Sequence, residues 1–157
     1  MNTEYWNVSI KTWETCVAAL LRDDDSLGNT LRAMLTSPSA FETSAALEFL
    51  RWLDSRRLEC IADLVIVPLL HHASYQNGFS SEAQRAILLL PRGWLIANIE
   101  RFAAPIVQAG NFEDFCSLLD LYHLVDPGLA RRLAAQGVSH AEYDIRECSS
   151  DYLLLHT

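Results

Sequence analysis

Five breaker clusters divide this chain: "SPS" at 37 to 39, "YQNG" at 75 to 78, "LPRG" at 90 to 93, "AGN" at 109 to 111 and "DPG" at 126 to 128. Between them, apolar residues recur every three or four positions, the period of one helical face. No run of strict apolar/polar alternation is long enough to build a sheet, so the fold class is all-α. Helices this short, joined by tight turns, pair with their chain neighbours. Two architectures meet that condition: a short α-solenoid of stacked antiparallel helix pairs, and a compact helical bundle. The regular return of breakers favours the solenoid, as a single domain over 1–157, although no repeat of fixed length is visible. Half of the 157 residues are hydrophobic, enough to bury a sizeable core.

Individual segments carry their own start and stop signals. A first helix fits 9 to 22, with Trp13, Val17, Leu20 and Leu21 on one side. "DDDS" at 23 to 26 ends it and offers cap oxygens to a second helix through Leu27, Leu31, Met34 and Leu35. Ser39 and Glu42 have capping-box spacing ahead of a third, whose face holds Phe41, Ala45, Phe49 and Trp52 or Leu53. Asn77-Gly78 suits a turn with positive φ, and Ser81 with Gln84 repeats the box for a fifth helix that Pro91 ends. Pro91 also suits the first turn of a sixth, striped by Leu95, Ile99, Phe102 and Ile106, with Pro105 near its end. Gly110 and Asn111 separate it from a seventh facing inward through Phe115, Leu118 or Leu119, and Tyr122. Asp126 and Pro127 start an eighth through Leu129 and Leu133, which Gly137 stops. A ninth spans about 141 to 155 through Ile145, Cys148 and Tyr152.

The stretch "RLECIADLVIVPLLHHASYQ" at 57 to 76 most resembles a chemical signature. Asp63 interrupts its apolar run, leaving Leu64 to Leu70, far short of the roughly 18 to 20 residues that span a bilayer. Leu58, Ile61, Ala62, Val65 and Leu69 follow helical spacing, so it reads as a fourth, core helix that Pro68 kinks or divides near Val67. His71 and His72 are adjacent and point about 100° apart, unlike an i, i+4 zinc pair, so no metal is expected. Cys16, Cys60, Cys116 and Cys148 lie far apart without a C-x-x-C pair, which predicts reduced, mostly buried thiols. The phosphate-loop, dinucleotide, nucleophile-elbow and zincin patterns do not occur, so neither catalytic residues nor a cofactor are expected.

A formal charge of −8 disfavours direct binding to nucleic-acid phosphates and favours a basic protein partner. The acidic candidates for that surface are Asp23, Asp24 and Asp25, with Glu113, Asp114 and Asp120 on the seventh helix. Their competing role is local, since carboxylates near helix starts complement the dipole and cap free amides. Trp6, Trp13, Trp52 and Trp94 either seal helix contacts or anchor an interface. Trp13 and Trp52 lie on apolar stripes and are expected in the core; Trp94, in the first turn of helix six, is the interface candidate. "MNTEYWNVSIKTWETC" has no basic region followed by an apolar one, so no secretion signal and a cytoplasmic location are expected.

"HAEYDIRECSSDYLLL" resembles the second-helix segment of HEAT-like repeats, with Asp144, Ile145 and Arg146 as its acidic, aliphatic and arginine positions. "LPRGWLIANIERFAAPIV" and "LLDLYHLVDPGLARRLAAQG" likewise resemble the tail of small bacterial HEAT-like proteins, and the resemblance covers about 81 to 155. Some proteins of that type serve as immunity proteins of polymorphic toxins. The resemblance therefore implies a non-catalytic binding protein that occludes a cognate, basic toxin domain. A helical adaptor or regulatory subunit for endogenous proteins is the alternative, and an enzyme with an unrecognised Cys/His site is a third.

Overall fold

A computed structural model describes residues 3–75, 78–109 and 111–156, with side chains from residue 10 onward. Among the described residues every regular element is an α-helix: α1 (Thr3–Leu20), α2 (Asp24–Leu35), α3 (Ala40–Leu50), α4 (Ser55–Ser74), α5 (Ser80–Ile87), α6 (Arg92–Ala109), α7 (Phe112–Val125), α8 (Pro127–Gly137) and α9 (Tyr143–Leu155). Most starts are fixed by a side chain that satisfies an otherwise orphaned amide. Asp23 accepts from the Ser26 amide at 2.6 Å, Asp54 from Arg57 at 3.0 Å and Asn111 from Glu113 at 2.9 Å. Asp126 accepts from the Gly128 amide at 2.8 Å, with Pro127 as the first residue of α8.

Two capping boxes come out differently. Ser39 accepts from the Glu42 amide at 3.4 Å, but its own amide donates to Ser37 Oγ, so that box forms in one direction only. At α5 the cap position is Phe79, and the Ser80 hydroxyl donates to the Ala73 carbonyl at 3.0 Å, so the Ser81–Gln84 box does not form. Helix α5 also stops at Ile87, before Pro91, and a turn over 88 to 90 leads to α6. Gly78 adopts φ +83, while Asn77 and Gly110 lie outside the described residues.

Helix α4 is the centre. It packs most heavily on α2 and α5 and also touches α6 and α7. Leu58, Ile61, Ala62, Val65 and Leu69 are buried on it, as its periodicity predicts, and Ile66 and Leu70 are buried as well. Pro68 does not divide the helix, which continues to Ser74; the ring is buried and removes one amide from the backbone ladder. Close approach of α2 is possible because Gly28 has no side chain: a Cβ there would lie 2.5 Å from Leu64 Cδ1 and 3.3 Å from Ile61 Cβ.

Every substantial pairing joins helices no more than three apart along the chain. Helix α1 rests on α2 and α3, α9 rests on α7 and α8, and α4 bridges the two groups. This short-range order is compatible with a stack of helices, although α3–α4 and α5–α6 have no substantial contact among the described residues, and one continuous buried cluster runs through it from Cys16 to Tyr152.

One expected face and one expected core residue are corrected, while Leu53, the alternative to Trp52 on the α3 face, packs against the core. On α1 the buried positions are Cys16 and Ala19, with Trp13 and Leu20 half-buried, whereas Val17 and Leu21 face outward. The small side chains let α1 settle closely on its neighbours, and the larger aliphatic pair falls on the far side. Trp52 is 73% exposed, because α3 ends at Leu50 and Asp54 already caps α4, which leaves the indole on the connector. Side chains before residue 10, Trp6 among them, lie outside the described set.

Candidate functional site

The acidic residues occupy two separate helix starts. Asp23 and Asp25 are exposed at the start of α2, and Asp24 forms a 2.9 Å ion pair with Arg57 of α4. Amide hydrogen bonds from the first turn, chiefly from Ser26, hold the Asp23 carboxyl below the usual carboxylate range. Glu113 and Asp114 flank the Asn111 cap of α7, and Asp120 is exposed further along the same helix. Helices α2 and α7 both pack on α4 but have no substantial contact with each other. The two clusters thus belong to different helix pairs.

Trp94 is half-buried against the core. Its ring stacks on Phe102 at 5.9 Å between centroids, and Phe102 carries the Arg101 guanidinium at 4.4 Å. Trp52, bare on the connector between α3 and α4, is the exposed indole that the helical stripe concealed. The legible signal was local: "WLDS" places a helix-starting Asp54 two residues after the tryptophan.

Arginines are largely committed to partners. Arg132 makes two bonds to Glu100, at 3.0 and 3.1 Å, linking α8 to α6 across a cavity of about 430 Å³ whose lining includes Tyr122, Gln108 and Gln136. Arg92 donates to the Val125 carbonyl at 3.0 Å and approaches Asp126 at 3.5 Å, securing the α7–α8 junction. Arg146 donates to the carbonyls of His140 and Ala141, both at 2.7 Å, tying α9 to the segment before it. Ile145 beside it is fully buried and Asp144 is exposed.

The densest gathering of reactive side chain types lies in the α7–α9 seam. Cys116 Sγ and Cys148 Sγ are 2.9 Å apart, and His123 Nδ1 is 2.7 Å from the Tyr152 hydroxyl, with the His156 ring 4.4 Å from that of Tyr152. Burial pushes the Cys116 thiol up to about 12, with further contributions from Cys148 and Asp120. The cysteine pairing escaped the sequence because 32 positions separate the two residues, and only the packing of α9 on α7 brings them together. Elsewhere, His72 Nε2 lies 2.7 Å from the Leu35 carbonyl at the end of α2. Among the described residues no group of three or more His, Cys, Asp or Glu side chains is arranged to hold a metal, and no helix is long and apolar enough to cross a membrane.

The fold defines an all-α protein of helices packed in chain order, with an acidic surface. No protein-family model, curated protein or solved structure matches the chain.

Proposed function

We propose that this chain is a non-catalytic, HEAT-like protein-binding module, most concretely a cytoplasmic immunity protein that neutralises a cognate bacterial toxin by occlusion. The observation that carries this reading is the disposition of charge. Many arginines are engaged in ion pairs or carbonyl caps, whereas Asp23, Asp25, Glu113 and Asp120 remain exposed within a net charge of −8. Such a surface steers a basic domain into encounter and repels nucleic acid, and a rigid helical face then blocks the approach of substrate. Trp52 supplies an aromatic side chain of the kind that dominates binding energy once desolvated.

The test is affinity isolation of the tagged protein at low and moderate salt, with mass spectrometry of what co-purifies. A stoichiometric basic protein with a toxin-like terminal domain is the expected result. Replacing Asp23 and Asp25 by Asn should then slow association several-fold and flatten its salt dependence, and Trp52→Ala should speed dissociation. Absence of protection on co-expression with every toxin encoded nearby would reject the immunity reading. Recovery of a housekeeping complex would favour a helical adaptor instead.

A further inference from the structure

We infer that Cys116 and Cys148 form a reversible disulfide, an oxidation site that ties α9 to α7 and closes a covalent ring around α8. The two sulfurs are 2.9 Å apart in the thiol state, about an ångström beyond the S–S bond length of roughly 2.05 Å. Their register is held on both sides. One turn beyond Cys148, Tyr152 meets His123 of α7 at 2.7 Å; next to Cys148, Ser149 is fully buried against Gly137 of α8. The thiols therefore face each other because the seam is packed that way.

Selectivity follows from where the other cysteines lie. Cys16 is 1% exposed, with its sulfur 3.4 Å from Met34 Sδ, and Cys60 is exposed on α4, away from the seam. Cys116 and Cys148 are half-buried, which leaves part of their surface in contact with solvent.

The chemistry is thiol–disulfide exchange with a low-molecular-weight disulfide such as oxidised glutathione. The Cys148 thiolate attacks one glutathione sulfur, breaking that S–S bond and expelling one glutathione thiolate. Burial is the main cause that holds Cys116 protonated at neutral pH and it persists, but capping Cys148 removes the hydrogen bond and charge of that sulfur, so ionisation of Cys116 becomes easier and sets the pace of the second step. Its thiolate then attacks Cys148 Sγ and expels the second glutathione. Two protein thiols have lost two protons and two electrons, and glutathione disulfide has become two thiols.

The full chain, reduced and then equilibrated in glutathione buffers of graded ratio, should be acid-quenched, alkylated and mapped by mass spectrometry. The expected result is loss of the Cys116 and Cys148 thiols into one linked peptide pair, reversed by dithiothreitol, with exposed Cys60 carrying at most a glutathione adduct. The melting temperature should rise by roughly 5–10 °C, from closing a loop of this length in a chain of this size. Cys116→Ser should stop at the glutathione adduct on Cys148, and Cys148→Ser should abolish the cross-link. Free thiols at Cys116 and Cys148 at the most oxidising ratio, or glutathione adducts on them in the wild type with no linked pair, would overturn the inference. Because the wild-type protein supplies the primary readout, a variant that misfolds does not remove the test.

Discussion

At the residue scale, Ser149 and Gly137 form the tightest point of the C-terminal half. The Ser149 hydroxyl is fully buried without a hydrogen-bond partner among the described residues, so it carries a desolvation cost with no compensation. Ser149→Ala should stabilise the protein by about 1 kcal/mol in urea denaturation. A Cβ on Gly137 would stand 2.7 Å from Phe115 Cζ and 3.0 Å from Ser149 Cβ, and a ring edge does not yield cheaply. Gly137→Ala should cost roughly 1–3 kcal/mol, whereas Gly93→Ala, with open space around it, should be neutral or gain up to about 1 kcal/mol. Equal effects at the two glycines would contradict the packing. Asp23 gives a pH signature of known sign. Its folded pKa is depressed, so its stabilising contribution is full above the unfolded value and is lost as pH falls through the folded one. Asp23→Asn, which keeps a cap oxygen, should lose less melting temperature than wild type between pH 5 and about pH 2. The residue scale is also where the sequence was least legible: alternation of large and small side chains on α1 could not say that Cys16 and Ala19, and not Val17 and Leu21, meet the neighbouring helices.

Elements were more legible because their boundaries are written in local chemistry. Asn111 and the Asp126-Pro127 pair mark α7 and α8, and the expected inward residues of α7, Phe115, Leu118, Leu119 and Tyr122, are all buried. Where a boundary depended on what lay across the core, the reading failed: the Ser81–Gln84 box does not form and Ser80 reaches back to Ala73. Of the two outcomes expected at Pro68, division of α4 does not occur. The α7–α8 junction concentrates both effects, since the single residue Asp126 caps α8 while Arg92 of α6 holds it and the last carbonyl of α7. Asp126→Ala should cost about 1–2 kcal/mol by loss of the cap. A double-mutant cycle with Arg92→Ala should show coupling of about 0.5–1 kcal/mol, and strict additivity would mean that the guanidinium acts only through the Val125 carbonyl. The acidic candidates were legible as residues but not as a surface, because nothing local reveals that Asp24 is taken up by Arg57 or that α2 and α7 belong to different helix pairs.

For the whole molecule, unequal support predicts unequal opening. Helix α4 contacts α2, α5, α6 and α7, whereas α1 and α9 each rest on two neighbours. Amide exchange in α4 should require global unfolding, and α1 and α9 should exchange through smaller openings. Protection of α1 equal to that of α4 would refute a stack with weaker ends. The order of the helices also bears on how the chain is made. Because no substantial contact reaches more than three helices along, folding closes only short loops and should be fast for a protein of this size. During synthesis α1, α2 and α3 can assemble, and α4 can dock on α2, before α6 exists. Each later helix then emerges against a surface already in place, so assembly proceeds in the direction of translation, with little time for the apolar faces of α4 to remain uncovered.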